Sequence, residues 1–176
     1  MKLPAPIPTK VTAAFYMDAD EFFIKVYNFF SCKLCGYPPF SHCALILENK
    51  LDKVIILPYD NKMKMIRYDV YMRAQRKETP EFDKHISYVD CGEAPVSFSQ
   101  ISYITSSYRK TLSTPYENLF WYCTGRFISD TYTITTCTQA VSQILRVCGY
   151  SNNIHTEPHK LHEELSNGID NYFWTS

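Results

Sequence analysis

Two residues of this 176-residue sequence, His42 and Cys137, have settings in which a histidine and a cysteine can act together. His42 opens the apolar segment "HCALIL", which has the composition of a core strand. Cys137 follows Thr136, and Gln139 comes three residues after Thr136, which is the capping-box pattern of a helix N-terminus. We therefore expect Cys137 to be the first residue of a well-marked helix within residues 135–150.

A cysteine at a helix N-terminus is in a distinctive electrostatic position. The free backbone N–H groups of the first turn and the helix dipole stabilise a thiolate and lower the thiol pKa. The same N–H groups can donate hydrogen bonds to the oxyanion that forms when sulfur attacks a carbonyl carbon. The sulfur also needs a base, which is most often a histidine. His42 is the only histidine that begins a predicted core strand, so Cys137 and His42 together predict thiol-mediated acyl transfer.

The elements that must hold these two residues are predicted from hydrophobic periodicity and turn residues. We expect strands over residues 11–17, 41–48, 52–60, 63–72 and 86–92, and helices over residues 20–30, 97–112 and 135–150, with a last helix capped by Thr156 and ending before Gly168. The second, third and fourth strands should form an antiparallel meander. Residues 73–85 are polar and predict a loop, with one helical turn as the alternative. No linker divides the chain, so residues 1–176 are predicted to form one α+β domain.

Four segments, in this order, resemble motifs of the circularly permuted NlpC/P60 cysteine hydrolases. This branch of the papain-like superfamily includes YiiX-like and poxviral G6-like groups and relatives of lecithin:retinol acyltransferase. The segments are "FSHCALILE", "TPYENLFWYC", "TTCTQAVSQILRVCGY" and "TEPHKLHEEL". In the permuted arrangement the histidine strand precedes the cysteine helix, as His42 precedes Cys137 here. The resemblance covers roughly residues 38–166.

The resemblance implies a permuted papain-like fold, in which a small antiparallel sheet packs on the helix that carries the nucleophile. Residues 1–37 would then be an N-terminal strand and an apolar helical insert. It implies a peptidase or amidase that needs no metal or organic cofactor, with a peptide (including the cross-links of bacterial cell wall) or another acyl compound as its substrate. A lipid acyltransferase or thioesterase is the alternative within this chemistry. Tyr116 and Thr136 are the candidates for side chains near the oxyanion or in the substrate groove.

The sequence departs from the family pattern at one place. The family usually carries a polar residue on the strand after the histidine strand, where it orients the imidazole. Here that strand reads "KVIILPYD", with Ile56 or Leu57 at the expected place. The side-chain candidates for this third residue are Asp60, Glu48 and Asp69. A backbone carbonyl is a further candidate for orienting the imidazole, and the choice stays open. This departure favours a competing class, a weak or inactive member that acts as a structural, virion or host-interaction protein.

Other cysteines and histidines carry weaker signals. "CKLC" (32–35) is a lone C-x-x-C without the second ligand pair that a structural zinc site needs. Cys43 directly follows His42, so strand alternation turns it to the opposite face, and we expect it in the core rather than in catalysis. The histidines that we expect on the solvated surface of the last helix, rather than at a metal, are His155, His159 and His162.

The composition excludes several classes of protein. Lys+Arg and Asp+Glu balance at 18 each, without the basic stripe of a nucleic-acid binder. The longest apolar runs are too short to span a bilayer, and "MKLPAPIPTK" has no apolar region of a secretory signal. Seven scattered cysteines argue against a disulfide framework and for a reducing compartment. We therefore expect a cytoplasmic protein, or a virion-associated one made in the cytoplasm, whose oligomeric state the sequence leaves open.

Overall fold

The structure, a computed structural model, describes residues 8–17, 36, 38–59, 62–94, 97–107, 136–155 and 157–167. The predicted helix over residues 20–30 and the candidates Asp60 and Tyr116 lie outside the described residues. Within the described ranges the chain is α+β, with a small antiparallel sheet and a few helices. No helix in these ranges has the length and apolarity to cross a bilayer.

Five strands of the described residues pair into one antiparallel sheet in the order β4-β3-β2-β1-β5. They are β1 (Thr9–Tyr16), β2 (His42–Glu48), β3 (Lys53–Tyr59), β4 (Lys62–Arg67) and β5 (Ile86–Ala94). The predicted meander is confirmed, because β2, β3 and β4 are successive neighbours. On its other side β2 pairs with β1, where Tyr16 lies opposite His42. His42 is therefore at one end of the middle strand of the sheet.

Four helices and one 3₁₀ turn accompany this sheet in the described residues. They are α1 (Tyr68–Glu78), the 3₁₀ turn (Phe82–His85), α2 (Phe98–Ser107), α3 (Cys137–Val147) and α4 (Pro158–Ser166). The predicted helices within residues 97–112 and 135–150 are confirmed where the structure describes them. The strand over residues 86–92 is also confirmed, as β5.

The prediction for residues 63–85 was partly wrong, because the chain changes from strand to helix after Arg67. At the end of β4, Arg67 lies opposite Val54, and β3 begins only one residue before Val54, at Lys53. Residues beyond Arg67 would therefore have no neighbouring strand to pair with. The segment 73–78, "RAQRKE", consists of good helix formers, so it extends α1 instead of forming a loop.

The sheet separates two apolar cores. Cys43, Leu45 and Leu47 of β2 belong to one core, whereas Ala44 and Ile46 belong to the other. Residues of α2, α3 and α4 complete the first core, and residues of α1 and the 3₁₀ turn pack on the second. Because both faces of β2 are covered, its sequence is an almost unbroken apolar run instead of an alternating one.

Local hydrogen bonds fix both ends of α3, as predicted. Thr136 is the N-cap and forms a complete capping box. At the other end Gly149 has φ +82°, a left-handed conformation that glycine adopts without strain. Its N–H donates to the Arg146 carbonyl at 3.0 Å and the Tyr150 N–H donates to the Leu145 carbonyl at 2.9 Å, which is a Schellman motif. The position of the first residue of α3 is therefore well defined.

α4 begins one residue later than predicted. Its N-cap is Glu157, whereas Thr156 and Gly168 lie outside the described residues. Pro158 is the first helical residue, which suits proline because the first-turn N–H has no partner inside a helix.

Candidate active site

The capping box places Cys137 at the first position of α3. The Gln139 N–H donates to Thr136 Oγ1 at 3.1 Å, and the Thr136 N–H donates to Gln139 Oε1 at 2.9 Å. Thr136, a candidate groove residue, is therefore occupied as the helix cap, with both its hydroxyl oxygen and its N–H in use. The Cys137 thiol lies at the positive end of the helix dipole, as the sequence predicted.

Cys137 meets Cys43 at the point where α3 packs on β2. Cys43 Sγ lies 3.7 Å from Thr138 Oγ1, within hydrogen-bonding reach of that hydroxyl, and Cys137 Sγ lies 3.9 Å from the same oxygen. Cys43 is fully buried, whereas Cys137 is half-buried. Two thiols thus share one hydroxyl, one of them enclosed by the core and the other at its margin.

The two thiols are driven to opposite protonation states. The pKa of Cys137 lies well below its ordinary value, and the largest cause is a hydrogen bond from the Cys43 thiol. Burial opposes this effect, whereas the charge and the hydrogen bond of His42 add to it. The Cys43 backbone N–H adds a further bond in the same direction. Burial, together with the hydrogen bond to Cys137 and its negative charge, raises the pKa of Cys43 well above its ordinary value. The surroundings of the pair therefore favour the thiolate at Cys137 and the neutral thiol at Cys43.

His42 is half-buried at the first position of β2, beside the ring of Tyr16, with 6.2 Å between the ring centroids. Strand alternation turns Cys43, not His42, directly toward α3. The imidazole nevertheless contributes a side-chain hydrogen bond and its charge to the Cys137 sulfur. It can do so because the first residue of a strand lies at the margin of the sheet, close to the N-terminus of the helix that covers it.

The two described carboxylates among the candidates for the third residue lie away from His42. Glu48 is at the opposite end of β2, six residues or roughly 20 Å along the strand, and its carboxylate pairs with Lys53 at 2.9 Å. Asp69 is in the first turn of α1, which starts beside that same far end of the sheet, and it pairs with Arg67 at 3.2 Å. Neither forms a triad with His42 and Cys137.

The remaining cysteines of the described residues differ from Cys137. Burial raises the pKa of Cys91 and of Cys148 to about 11. Both are therefore neutral thiols at physiological pH. Burial therefore raises the pKa of these two thiols, whereas the lowered pKa of Cys137 depends on the hydrogen-bond donors and the charge that surround it.

The three histidines near α4 are not solvated as a group, which corrects the sequence-based expectation. His159 is buried and its Nε2 lies 3.3 Å from a carboxylate oxygen of Glu157. His162 lies between Phe15 and Phe40, with ring centroids 4.9 Å and 4.6 Å away, and burial lowers its pKa.

His155, the third of these histidines, is half-buried and contacts the Glu164 carboxylate through Nε2. In the part of the chain that the structure describes, no three His, Cys, Asp or Glu side chains gather into a group that could hold a metal ion.

The sequence patterns predicted Cys137 and His42 as site residues and assigned no role to Cys43 beyond the core. The signal was present in the alternation of β2, which puts Cys43 on the face opposite to Ala44. That alternation could not say which helix covers the face, and hence could not place the Cys43 thiol against Cys137. Comparisons with protein-family models, with curated proteins and with solved structures found no match to this chain.

Proposed function

We propose that the protein is a cysteine hydrolase or acyltransferase in which Cys137 is the nucleophile and His42 is the general base and acid. The observation that carries the proposal is the position of Cys137 at the capped N-terminus of α3. There His42 and Cys43 are among the groups that lower the pKa of its thiol. A thiolate that pairs with a histidine is the activated form of a cysteine nucleophile. Cys91 and Cys148, whose pKa values are about 11, lack this property.

The proposed mechanism assigns one step to each of these groups. The Cys137 sulfur attacks the carbonyl carbon of an amide or ester, and the Cys137 backbone N–H donates to the oxyanion. The protonated His42 then gives its proton to the leaving amine or alcohol, which leaves a thioester on Cys137. Neutral His42 takes a proton from water, or from an acceptor amine or alcohol, as that group attacks the thioester. The cycle returns Cys137 as a thiolate and His42 as an imidazolium.

The substrate class rests on the resemblance to the permuted NlpC/P60 hydrolases and their papain-like fold. The order of the histidine strand and the cysteine helix along the chain supports this relationship. We propose a peptide amide as the first substrate class, including cell-wall cross-links, with lipid amides or esters as the second. No metal or organic cofactor takes part in the proposed cycle.

A non-catalytic role on the same fold is the second candidate function. It is favoured by the positions of Glu48 and Asp69, which pair with Lys53 and Arg67 instead of orienting His42. A structural or host-interaction protein would tolerate this arrangement, because a bound partner does not require a fixed imidazole tautomer.

The experiment that separates the two is a turnover assay on a panel of peptide amides, cell-wall cross-link peptides and lipid esters. For an accepted substrate, we expect Cys137→Ala to abolish turnover and His42→Ala to lower kcat/KM by about 10² to 10⁴, the usual contribution of a positioned general base. A thioester on the Cys137 peptide should be detectable by mass spectrometry after rapid acid quenching.

Cys148→Ala is the matched control, because it removes a buried thiol from the other end of α3. It should leave kcat/KM unchanged for the same substrate. Turnover that survives Cys137→Ala, or no thioester with any member of the panel, would favour the non-catalytic role.

A further inference from the structure

The contact between Cys43 and Cys137 has no role in the cycle described above beyond hydrogen bonding. Their sulfurs lie 3.7 Å and 3.9 Å from the single oxygen Thr138 Oγ1, and their side chains are hydrogen-bonded to each other. Cys43 is fixed in the middle strand of the sheet, and Cys137 is at the end of the helix that packs on it. Two thiols held this close on two packed elements are positioned to become a disulfide.

The surroundings of the two sulfurs give each of them a different role. Cys137 lies at the margin of the core and keeps part of its residue surface exposed, whereas Cys43 has 0% of its surface exposed. An oxidant from solution therefore meets Cys137 first. A group formed on the Cys137 sulfur would then lie beside the Cys43 thiol, because both side chains meet at Thr138 Oγ1.

We propose that Cys43 is the resolving cysteine of a redox switch, in which a hydroperoxide oxidises Cys137 and Cys43 closes a reversible Cys43–Cys137 disulfide. This inference deepens the proposed function, on which its regulatory meaning rests, because the disulfide removes the nucleophile. The hydroperoxide is a small solute such as hydrogen peroxide.

The chemistry balances in two steps. The Cys137 thiolate attacks the terminal oxygen of the hydroperoxide, the O–O bond breaks, and a sulfenic acid forms on Cys137. The leaving alkoxide or hydroxide takes a proton from solvent and becomes an alcohol or water. The Cys43 sulfur then attacks the Cys137 sulfur, the S–O bond breaks, and the leaving hydroxide takes the Cys43 proton to become water. Two thiols lose two electrons in total and the hydroperoxide gains them. A dithiol reductant restores both thiols by thiol–disulfide exchange and is itself oxidised to a disulfide.

The protonation states of the pair favour this order of events. The low pKa of Cys137 makes it the thiolate that reacts with a peroxide, and burial keeps Cys43 protonated until then. Part of the rise in the Cys43 pKa comes from the negative charge of Cys137, and a neutral sulfenic acid removes that charge. Oxidation of the first sulfur therefore makes the second one a better nucleophile.

Cys91 and Cys148 provide an internal comparison. The charge of Cys91 contributes to the pKa of Cys148, so these thiols are also near each other, but burial raises both pKa values to about 11. Neither is a thiolate at neutral pH, so this pair lacks the reactive partner that begins the reaction. Proximity without a thiolate should leave both as thiols.

The test is to treat the reduced, full-length protein with a small molar excess of hydrogen peroxide and to map its cysteines by mass spectrometry after blocking free thiols. We expect a cross-linked peptide that joins Cys43 to Cys137, with Cys91 and Cys148 blocked as free thiols. Labelling of Cys137 by a thiol probe should fall at least about tenfold and recover with dithiothreitol, as a disulfide does and a sulfinic acid does not.

Two variants test the roles of the individual cysteines. Cys43→Ala should convert the reversible loss of Cys137 labelling into an irreversible one, because the sulfenic acid then proceeds to sulfinic acid. Cys148→Ala should form the Cys43–Cys137 cross-link as the unaltered chain does. The mapping of the unaltered protein decides the question even if Cys43→Ala does not fold.

The inference is wrong if peroxide converts Cys137 to sulfinic acid while Cys43 stays a free thiol. It is also wrong if neither thiol is oxidised under these conditions, or if Cys137 is joined to Cys32, Cys35 or Cys123. A cross-link without turnover of any acyl substrate would contradict the proposed function and leave the redox pair standing. Turnover that depends on Cys137, without a cross-link after peroxide treatment, would contradict the redox pair and leave the proposed function standing.

Discussion

At the scale of single residues, the lowered pKa of the Cys137 thiol depends on groups at the start of β2. One residue, Cys43, supplies both a thiol donor and a backbone N–H to the Cys137 sulfur, and His42 supplies a charge and a hydrogen bond. The helix N-terminus adds its dipole. Sequence patterns predicted the helix end and the histidine because both depend on local signals. They could not predict the Cys43 contact, which exists only because α3 packs on that face of the sheet.

Loss of the Cys43 donor should make Cys137 less acidic. In Cys43→Ala we expect the rate of iodoacetamide labelling of Cys137 at pH 6 to fall by about tenfold or more, since a hydrogen bond to a charged group is worth roughly 1.5–3 kcal/mol. In Cys43→Ser the hydroxyl can still donate, so the fall should be smaller. At pH 10 the rates of both variants should match that of the unaltered protein, because Cys137 is then ionised in all three. A lower rate for Cys43→Ala at both pH values would point to a change of access instead.

At the scale of elements, α3 is the helix on which the site depends, and its capping box is its main local support. Thr136→Ala removes the acceptor for the Gln139 N–H, which lies 3.1 Å from the hydroxyl oxygen. We expect the free energy of unfolding to fall by about 1 kcal/mol, within the 0.5–2 kcal/mol range of lost caps. Thr136→Ser keeps the hydroxyl and is the matched control. Urea denaturation measures both, and equal losses in the two variants would contradict the role assigned to the hydroxyl.

α4 is held by a half-buried carboxylate, Glu164. Its Oε1 accepts from the Ser151 hydroxyl and from the Asn152 N–H, both at 3.1 Å, and its Oε2 contacts His155. Burial by itself would raise the pKa of Glu164, but these hydrogen bonds outweigh it, so the pKa lies below its ordinary value. The charged carboxylate therefore stabilises the contact between α4 and the loop that follows α3.

This arrangement predicts a pH-dependent loss of stability in Glu164→Gln. Because the folded-state pKa is depressed, the stabilisation is present above the unfolded value near 4.3 and is lost as the pH falls through the folded value. We expect Glu164→Gln to cost roughly 1–3 kcal/mol at pH 7 and progressively less below pH 4, by urea denaturation. Glu163→Gln, one residue earlier and exposed, should cost little at either pH. A cost for Glu164→Gln that is equal at pH 7 and pH 3 would show that the charge is not what matters.

At the scale of the whole molecule, a sheet with both faces covered holds the site. Part of this was predictable: the meander of β2, β3 and β4 follows from short apolar runs joined by tight polar turns, which are local. Other parts depend on long-range pairing. The insertion of β1 between β2 and β5 joins segments far apart in sequence, and the change to helix after Arg67 follows from where β3 begins. No periodicity in "MKMIRYDVYM" contains that information.

The residues of α3 that pack on the sheet should therefore contribute more to the stability of the fold than the exposed residues of the same helix. Leu145 has 0% of its surface exposed, whereas Val147, two residues later in the same helix, is 56% exposed. We expect Leu145→Ala to lower the free energy of unfolding by about 2–5 kcal/mol, the cost of a cavity in a core, and Val147→Ala to change it by no more than about 0.5 kcal/mol. Denaturant titration compares the two, and a similar loss for both would contradict the packing described for α3.

The central claim, that Cys137 is a thiolate activated in part by His42, is tested most directly by the pH dependence of Cys137 alkylation. Iodoacetamide labelling of each cysteine peptide would be followed by mass spectrometry in the unaltered protein and in His42→Ala. We predict that Cys137 already reacts near its maximal rate at pH 7, at least about tenfold faster than Cys148, and that His42→Ala moves the rise in rate to higher pH. If Cys137 reacts at pH 7 no faster than Cys91 and Cys148, and His42→Ala leaves its profile unchanged, the assignment of Cys137 and His42 is wrong.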